Sequence, residues 1–194
     1  NNPTHLGGAI DAEAGDKISR FMQLCDAHDL PIISLCDTPG FMVGPESEQL
    51  ATVRHISRIF VTASSITVPY ITLVTRKGYG LGAQAMAAGS FHNPLLTAAW
   101  PSGEFGAMGI EGAVRLGASK QLAAIEDEAK RQVVFQKMVD KVYEQGKALN
   151  MASYLEIDAV IDPLESRKWI LRALASTPAI KVREGKKRPC IDTW

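Results

Sequence analysis

The stretch from Val68 to Gly89, VPYITLVTRKGYGLGAQAMAAG, limits more than any other what this chain can fold into. Pro69 to Thr75 is a short apolar run rich in β-branched residues, the pattern of a buried strand. Arg76 and Lys77 end it. Gly78-Tyr79-Gly80-Leu81-Gly82 then places three glycines in five positions, and Ala83 to Ala88 follows with strong helix formers. Glycines at a strand-to-helix junction let backbone approach a ligand with no Cβ in the way. The first turn of the helix leaves N–H groups without internal partners, at the positive end of the helix dipole. Such a junction suits a phosphate or a developing oxyanion.

Residue types narrow the choice. A phosphate-binding P-loop needs Lys-Ser or Lys-Thr after the glycines, and none is present. Gly78, Gly80 and Ala83 formally fit GxGxxA, the dinucleotide fingerprint. That fingerprint belongs on a first strand with an acid some way beyond it. Here the stretch is mid-chain, and no acidic residue lies between Glu48 and Glu104. Taken alone, the glycines also fit a tight turn that packs helix closely on strand.

GYGLGAQAMA resembles the glycine-rich oxyanion turn of the crotonase superfamily. With TRK before it, the stretch looks like the carboxyl transferase subunit of biotin-dependent acyl-CoA carboxylases of the acetyl-CoA and propionyl-CoA type. Four further segments carry the resemblance in order. They are NNP with GGAID at Asn1 to Asp11, the D-x-PGF-x-x-G pattern at Asp37 to Gly44, AWP-x-x-E with GAV from Ala99 to Val114, and IDxVIDP at Ile157 to Pro163.

Bulk properties agree with an ordinary globular domain. The chain has 194 residues, enough for one domain with an appended helical segment. Twenty-one basic side chains balance 21 acidic ones, which argues against a nucleic-acid surface. No apolar run is long enough for a membrane helix, and the start has no signal-peptide pattern. There are three cysteines without CxxC spacing; Cys25 and Cys36, in apolar surroundings, read as small core residues rather than a disulfide or metal site, and no metal is expected. A cytoplasmic setting fits, or an organelle matrix if a targeting segment lies upstream.

Periodicity places the remaining elements. Ala12 to Asp29 reads as a helix with Ile18, Phe21, Met22 and Cys25 on its apolar face and Asp16, Lys17, Arg20 and Asp26 in water. Pro31 to Cys36 reads as a strand, ending in the Asp37 to Gly44 loop. Glu46 to Ser65 reads as one helix buried through Leu50, Val53, Ile56, Ile59, Phe60 and Ala63. His5 and His55 are expected to be structural or surface residues. Leu95 to Trp100 is a strand. Ser119 to Leu149 reads as one long helical segment with Ser119 as N-cap and Leu122, Ile125, Val133, Val134, Met138, Val142 and Leu149 inside. A short strand near Ile157 and a helix over Arg167 to Ala175 follow, and the basic tail Lys181 to Arg188 reads as disordered.

The resemblance implies an α/β, crotonase-like superhelix of ββα units. It implies that residues 1–194 are the C-terminal half of a carboxyl transferase subunit, with 119–194 a helical extension and tail, cut from a longer chain. This half would receive biotin, presented as carboxybiotin on a carrier domain, and the N-terminal half would hold most of the acyl-CoA. Implied partners are biotin carboxylase and biotin carboxyl carrier components, the N-terminal half and further copies of the chain. The N–H groups of Leu81 and Gly82 are the expected oxyanion donors, with Gly80 and Ala83 as neighbours in the same turn. Gly40, Phe41 and Gly80 would contact biotin, Gly40 and Phe41 offering backbone N–H groups and the Phe41 ring packing on the ligand, and Gln84 would lie beside the acyl chain. Carboxybiotin itself would carry the proton transfer, so the chain needs no acid/base pair. Hydratases of the superfamily pair two acids; here Glu104 is one, but Gln84 and Ala85 occupy the region of the second. The remaining readings are a biotin-dependent acyl-CoA decarboxylase of the same family, an enoyl-CoA hydratase or isomerase, and a non-catalytic assembly module.

Overall fold

The computed structural model describes residues 2, 4–178 and 184–193. A helical turn at Leu6–Gly8 leads to α1 (Ala12–Ala27), started by Asp11, whose carboxylate accepts from the Ala14 N–H at 2.8 Å. Strand β1 (Ile32–Thr38) follows, then α2 (Pro45–Gln49), α3 (Thr52–Ala63) and β2 (Tyr70–Tyr79). Helix α4 (Gly80–Met86) starts at the next residue. After it come β3 (Leu96–Ala99), β4 (Glu104–Gly106), α5 (Ile110–Gly117), α6 (Ser119–Ala123), α7 (Glu128–Gln145), α8 (Ala148–Ser153), β5 (Ala159–Val160) and α9 (Ser166–Ala175).

Among the described residues the strand-to-strand pairings are parallel, in the order β1-β2-β3-β5, as expected for strands joined by helical crossovers, and Glu104 of β4 makes an isolated antiparallel bridge to Lys147. β2 is shared. Its first half pairs with β1 and β3, and Lys77 to Tyr79 pair with β4. Side chains of β2 alternate between two cores. Tyr70 and Val74 join Met22, Ile59 and Met86 under α1, α3 and α4, whereas Ile71 and Leu73 join Leu96 and Ile161 under α9. A third cluster, Tyr79, Ile110, Val114, Leu122, Phe135 and Val139, packs α5, α6 and α7 behind the end of β2.

Several sequence expectations are corrected. The strand does not end at Arg76-Lys77; β4 pairs with that segment and carries it to Tyr79. The 46–65 helix is two helices, broken at Ala51, which takes a left-handed φ of 52°. Leu50 and Val53 are therefore exposed, while Ile59 is buried. The 119–149 segment is three helices. Asp127, not Ser119, supplies a side-chain cap, accepting from the Lys130 N–H at 3.1 Å. Phe135 and Val139 take the buried places expected for Val133 and Leu149, which are exposed. In α1, Met22 and Cys25 are buried as the period requires, but Phe21 is exposed.

Asp26 is the largest departure. It is 2% exposed instead of facing water. Its carboxylate accepts from the Thr67 N–H at 2.8 Å and from Arg188 Nε at 2.6 Å, with Lys187 Nζ 2.9 Å away. The tail segment Glu184 to Thr193 is thus strapped onto α1, where Gln23 also exchanges hydrogen bonds with Asp192 and Arg20 donates to the Asp192 carbonyl. The expected disorder is contradicted at Lys187 and Arg188; Lys181 to Arg183 lie outside the described residues.

Candidate active site

Because β1 and β2 are parallel neighbours, the loops that leave their C-terminal ends lie side by side, with Thr38 opposite Gly78. Ligands of parallel α/β sheets bind at that end. The loop after β1, Pro39 to Gly44, is fixed by short bonds. Thr38 Oγ1 donates to the Gly8 carbonyl at 2.8 Å and accepts from the Gly40 N–H at 3.2 Å. The Ile10 N–H donates to the Gly40 carbonyl, and the Met42 N–H to the Ile10 carbonyl. Asp37 grips the end of β2 by accepting two bonds from Arg76 Nε and Nη2 and one from the Lys77 N–H.

The glycine turn meets this loop directly. A Cβ on Gly82 would lie 2.7 Å from the Gly40 Cα and 3.0 Å from the Phe41 nitrogen, so no larger residue fits without moving one of the two segments. Gly80 is left-handed, with φ 60°, and a Cβ there would lie 2.7 Å from the Ala107 carbonyl. Two glycine turns about forty residues apart in sequence are thereby held in backbone contact. The first-turn N–H groups of α4, at Gly80, Leu81 and Gly82, have no partner within their own helix.

The expected site residues sort as follows. Gly40, Phe41, Gly80, Leu81 and Gly82 come together at one end of the sheet. Leu81 is 61% exposed, Gly80 is half-buried, and Gly82 is buried against Gly40. Ala83 is fully buried, which sets it behind the other three. The Gly40 N–H is engaged by Thr38, leaving Phe41 as the remaining candidate donor of that pair. The partly buried Phe41 ring packs against the core, with the Phe60 ring 6.3 Å away between centroids at an interplanar angle of 68°. Gln84 lies half-buried on the next turn of α4.

Other polar residues have structural partners. Glu104 accepts from the Tyr79 phenol at 2.7 Å. His55 Nδ1 is 2.7 Å from Asp16 Oδ2, and Arg58 pairs with the other oxygen of the same carboxylate. His5 lies 3.6 Å from Asp11. Burial, with the charge of Asp37 next, pushes the Cys36 thiol up to about 12, so it stays protonated. Among the described residues, no group of three or more His, Cys, Asp or Glu is placed to hold a metal ion, and no helix is long and apolar enough to cross a membrane. Sequence reasoning missed the Asp37–Arg76 grip. Its only signal was opposite charge at the ends of two neighbouring strands.

Comparison with known proteins decides what this constellation belongs to. Residues 1–189 match the carboxyl transferase domain. The chain belongs to the carboxyl transferase domain family. Its curated relatives include the biotin-dependent acetyl-/propionyl-coenzyme A carboxylase beta6 subunit of Mycobacterium tuberculosis, 34% identical over 94% of this chain and 38% of that protein. The methylmalonyl-CoA decarboxylase subunit alpha of Propionigenium modestum is 33% identical over 96% of this chain and 34% of that protein. Among solved structures, a single-chain, multi-domain long-chain acyl-CoA carboxylase superposes with a TM-score of 0.80 at 54% identity, over 89% of this chain and 17% of the other. The fold is therefore the crotonase-like α/β fold of carboxyl transferases. This carboxyl transferase domain spans little more than a third of the length of the curated relatives it matches.

Proposed function

We propose that the domain takes part in moving a carboxyl group between biotin and the α-carbon of an acyl-CoA, and that it is the half that receives biotin. The observation that carries this reading is the contact of Gly82 with Gly40–Phe41, which gathers backbone donors from two turns at the ligand-binding end of the sheet. Biotin, when bound, supplies the transferable carboxyl group and a ureido oxygen that becomes negatively charged as that group leaves. The residues present fit it: close packing of Gly82 on Gly40 and Phe41 sets the first-turn N–H groups of α4 beside the Phe41 nitrogen, and no carboxylate is among the atoms nearest Gly80 or Gly82. In this reading the N–H groups of Leu81 and Gly82 donate to the developing charge, Gly80 and Phe41 flank it, and Gln84 lies toward the acyl chain.

Glu104 is tied to Tyr79, which weighs against its serving as a hydratase acid or base. The substrate is an acyl-CoA, with acetyl-CoA and propionyl-CoA named for one relative and a long-chain acyl-CoA for another. Because the domain covers little more than a third of its relatives, a second half, a biotin carrier and a biotin carboxylase are the proposed partners. Ile33 and Leu35 on the open edge of β1, and Leu81 at the turn, are exposed apolar surface available to the missing half or another copy. A decarboxylating direction is the second reading, favoured by the Propionigenium modestum relative.

The full-length protein is expected to transfer a labelled carboxyl group from carboxybiotin to acetyl-, propionyl- or a long-chain acyl-CoA. This domain alone should show background transfer, and neither should hydrate an enoyl-CoA. Substantial transfer by the domain alone, or enoyl-CoA hydration, overturns the reading. Faster removal of the carboxyl group from a carboxylated acyl-CoA than its addition selects the decarboxylase.

A further inference from the structure

The glycine turn is held from behind by a side chain that touches none of the groups proposed to act. Tyr79, the last residue of β2, comes immediately before Gly80 and is 3% exposed. Its ring packs in the third cluster with Ile110, Val114 and Phe135. Its phenol donates to Glu104 Oε2 at 2.7 Å. Glu104 sits on β4, which runs in register beside Lys77, Gly78 and Tyr79. Burial, then the bond to Glu104 and its charge, push the phenol well above its ordinary range, so it remains a donor at any working pH. Tyr143 of α7 stands next to this pair and donates to Glu111 at 3.4 Å.

A phenylalanine at position 79 would fill the same apolar volume. What the hydroxyl adds is direction. Tyr79 is extended, with φ −105° and ψ 134°, and Gly80 is left-handed, so the chain turns from strand to helix across one peptide. Any swing at Tyr79 therefore re-aims the N–H groups that follow. Gly82 is fixed on the opposite side by Gly40, and Gly80 by the Ala107 carbonyl. The Tyr79 hydroxyl completes a three-point mounting.

We propose that the Tyr79–Glu104 hydrogen bond positions the oxyanion turn, Glu104 serving as a fixed acceptor and not as an acid or base. The inference rests on the carboxyl-transfer reading above. Glutamine at 104 keeps an acceptor oxygen, whereas leucine leaves the buried phenol only the Tyr143 hydroxyl, which anchors it to α7 and not to β4.

The test uses the full-length protein with Tyr79→Phe, Glu104→Gln, Glu104→Leu and, separately, an ester in place of the Leu81–Gly82 amide. Steady-state carboxyl transfer gives kcat and KM for the acyl-CoA, and circular dichroism gives the folded fraction. Tyr79→Phe and Glu104→Leu are expected to lower kcat on the order of tenfold to a hundredfold, with KM within about twofold. Glu104→Gln is expected to stay within about threefold of wild type in kcat. Wild-type kcat in Tyr79→Phe overturns the proposal. So does equal loss in Glu104→Gln, which would make the carboxylate itself necessary, or a loss that disappears once corrected for folded fraction. If the ester loses activity while Tyr79→Phe keeps it, the anchor alone fails; if the ester keeps full activity, the oxyanion reading fails with it.

Discussion

An ester replacing the Leu81–Gly82 amide should lower carboxyl transfer by about 10²–10³-fold, roughly 2.7–4 kcal/mol, the usual cost of one oxyanion donor. The ester removes the Gly82 N–H and leaves the shape of the turn. That matters because Gly82 has no room: a Cβ would lie 2.7 Å from the Gly40 backbone. Gly82→Pro removes the same donor and adds that Cβ, so it is expected to lose activity for two reasons, and circular dichroism must accompany it. The helix does not need this N–H, because it belongs to the first turn of α4, where donors lack intrahelical partners. The stability of the ester variant should therefore remain close to wild type, while kcat falls. Loss of stability with unchanged specific activity in the folded fraction would contradict the assignment.

Asp26→Ala is the second large effect. The substitution strips two cations, Lys187 and Arg188, of their shared carboxylate, and both are less than one-fifth exposed. Removing one partner from a buried ion cluster typically costs about 3–5 kcal/mol. Asp29 and Ser65 still reach these cations, which places the expected loss near about 3 kcal/mol at pH 7. Burial disfavours the charged carboxylate, but bonds from Lys187, the Thr67 N–H and Arg188 outweigh it and hold Asp26 down at about 2. The unfolded value is about 3.9, so the contribution is fully present above that pH and fades as pH falls through the folded value. Urea unfolding should show the wild-type advantage at pH 7 and its shrinkage between about pH 4 and 2. A difference below about 1 kcal/mol at pH 7 would mean that the tail does not strap α1.

The same residue shows where sequence reading stops. Met22 and Cys25 are legible because the helical period is local. Asp26 follows them directly and reads as solvent-facing, because its partners Lys187 and Arg188 lie some 160 residues on and nothing local announces them. The break at Ala51 carried no glycine or proline, so the 46–65 pattern read as continuous. Val133 and Leu149 had the right chemistry for a core; the caps at Asp127 and the end of α7 changed the phase. The glycine turn, by contrast, is written in the chain, since only glycine suits the positions at Gly80 and Gly82. The contact of that turn with Gly40 is a product of parallel pairing between β1 and β2, and no spacing rule gives it. Strand β2 overran its apparent end for a related reason. Arg76 and Lys77 look like a terminus, but Asp37 on one side and β4 on the other keep them extended.

Amide hydrogen exchange in the full-length protein, with and without saturating biotinyl-lysine, tests most directly where the chemistry sits. First-turn amides without a helical partner exchange readily, and an oxygen bound to them should slow that exchange. The segment from Tyr79 to Met86 is expected to gain protection when biotinyl-lysine binds, and the Leu81–Gly82 ester variant to bind it more weakly. Unchanged exchange across that segment in a protein that binds biotinyl-lysine and transfers carboxyl groups would contradict the account.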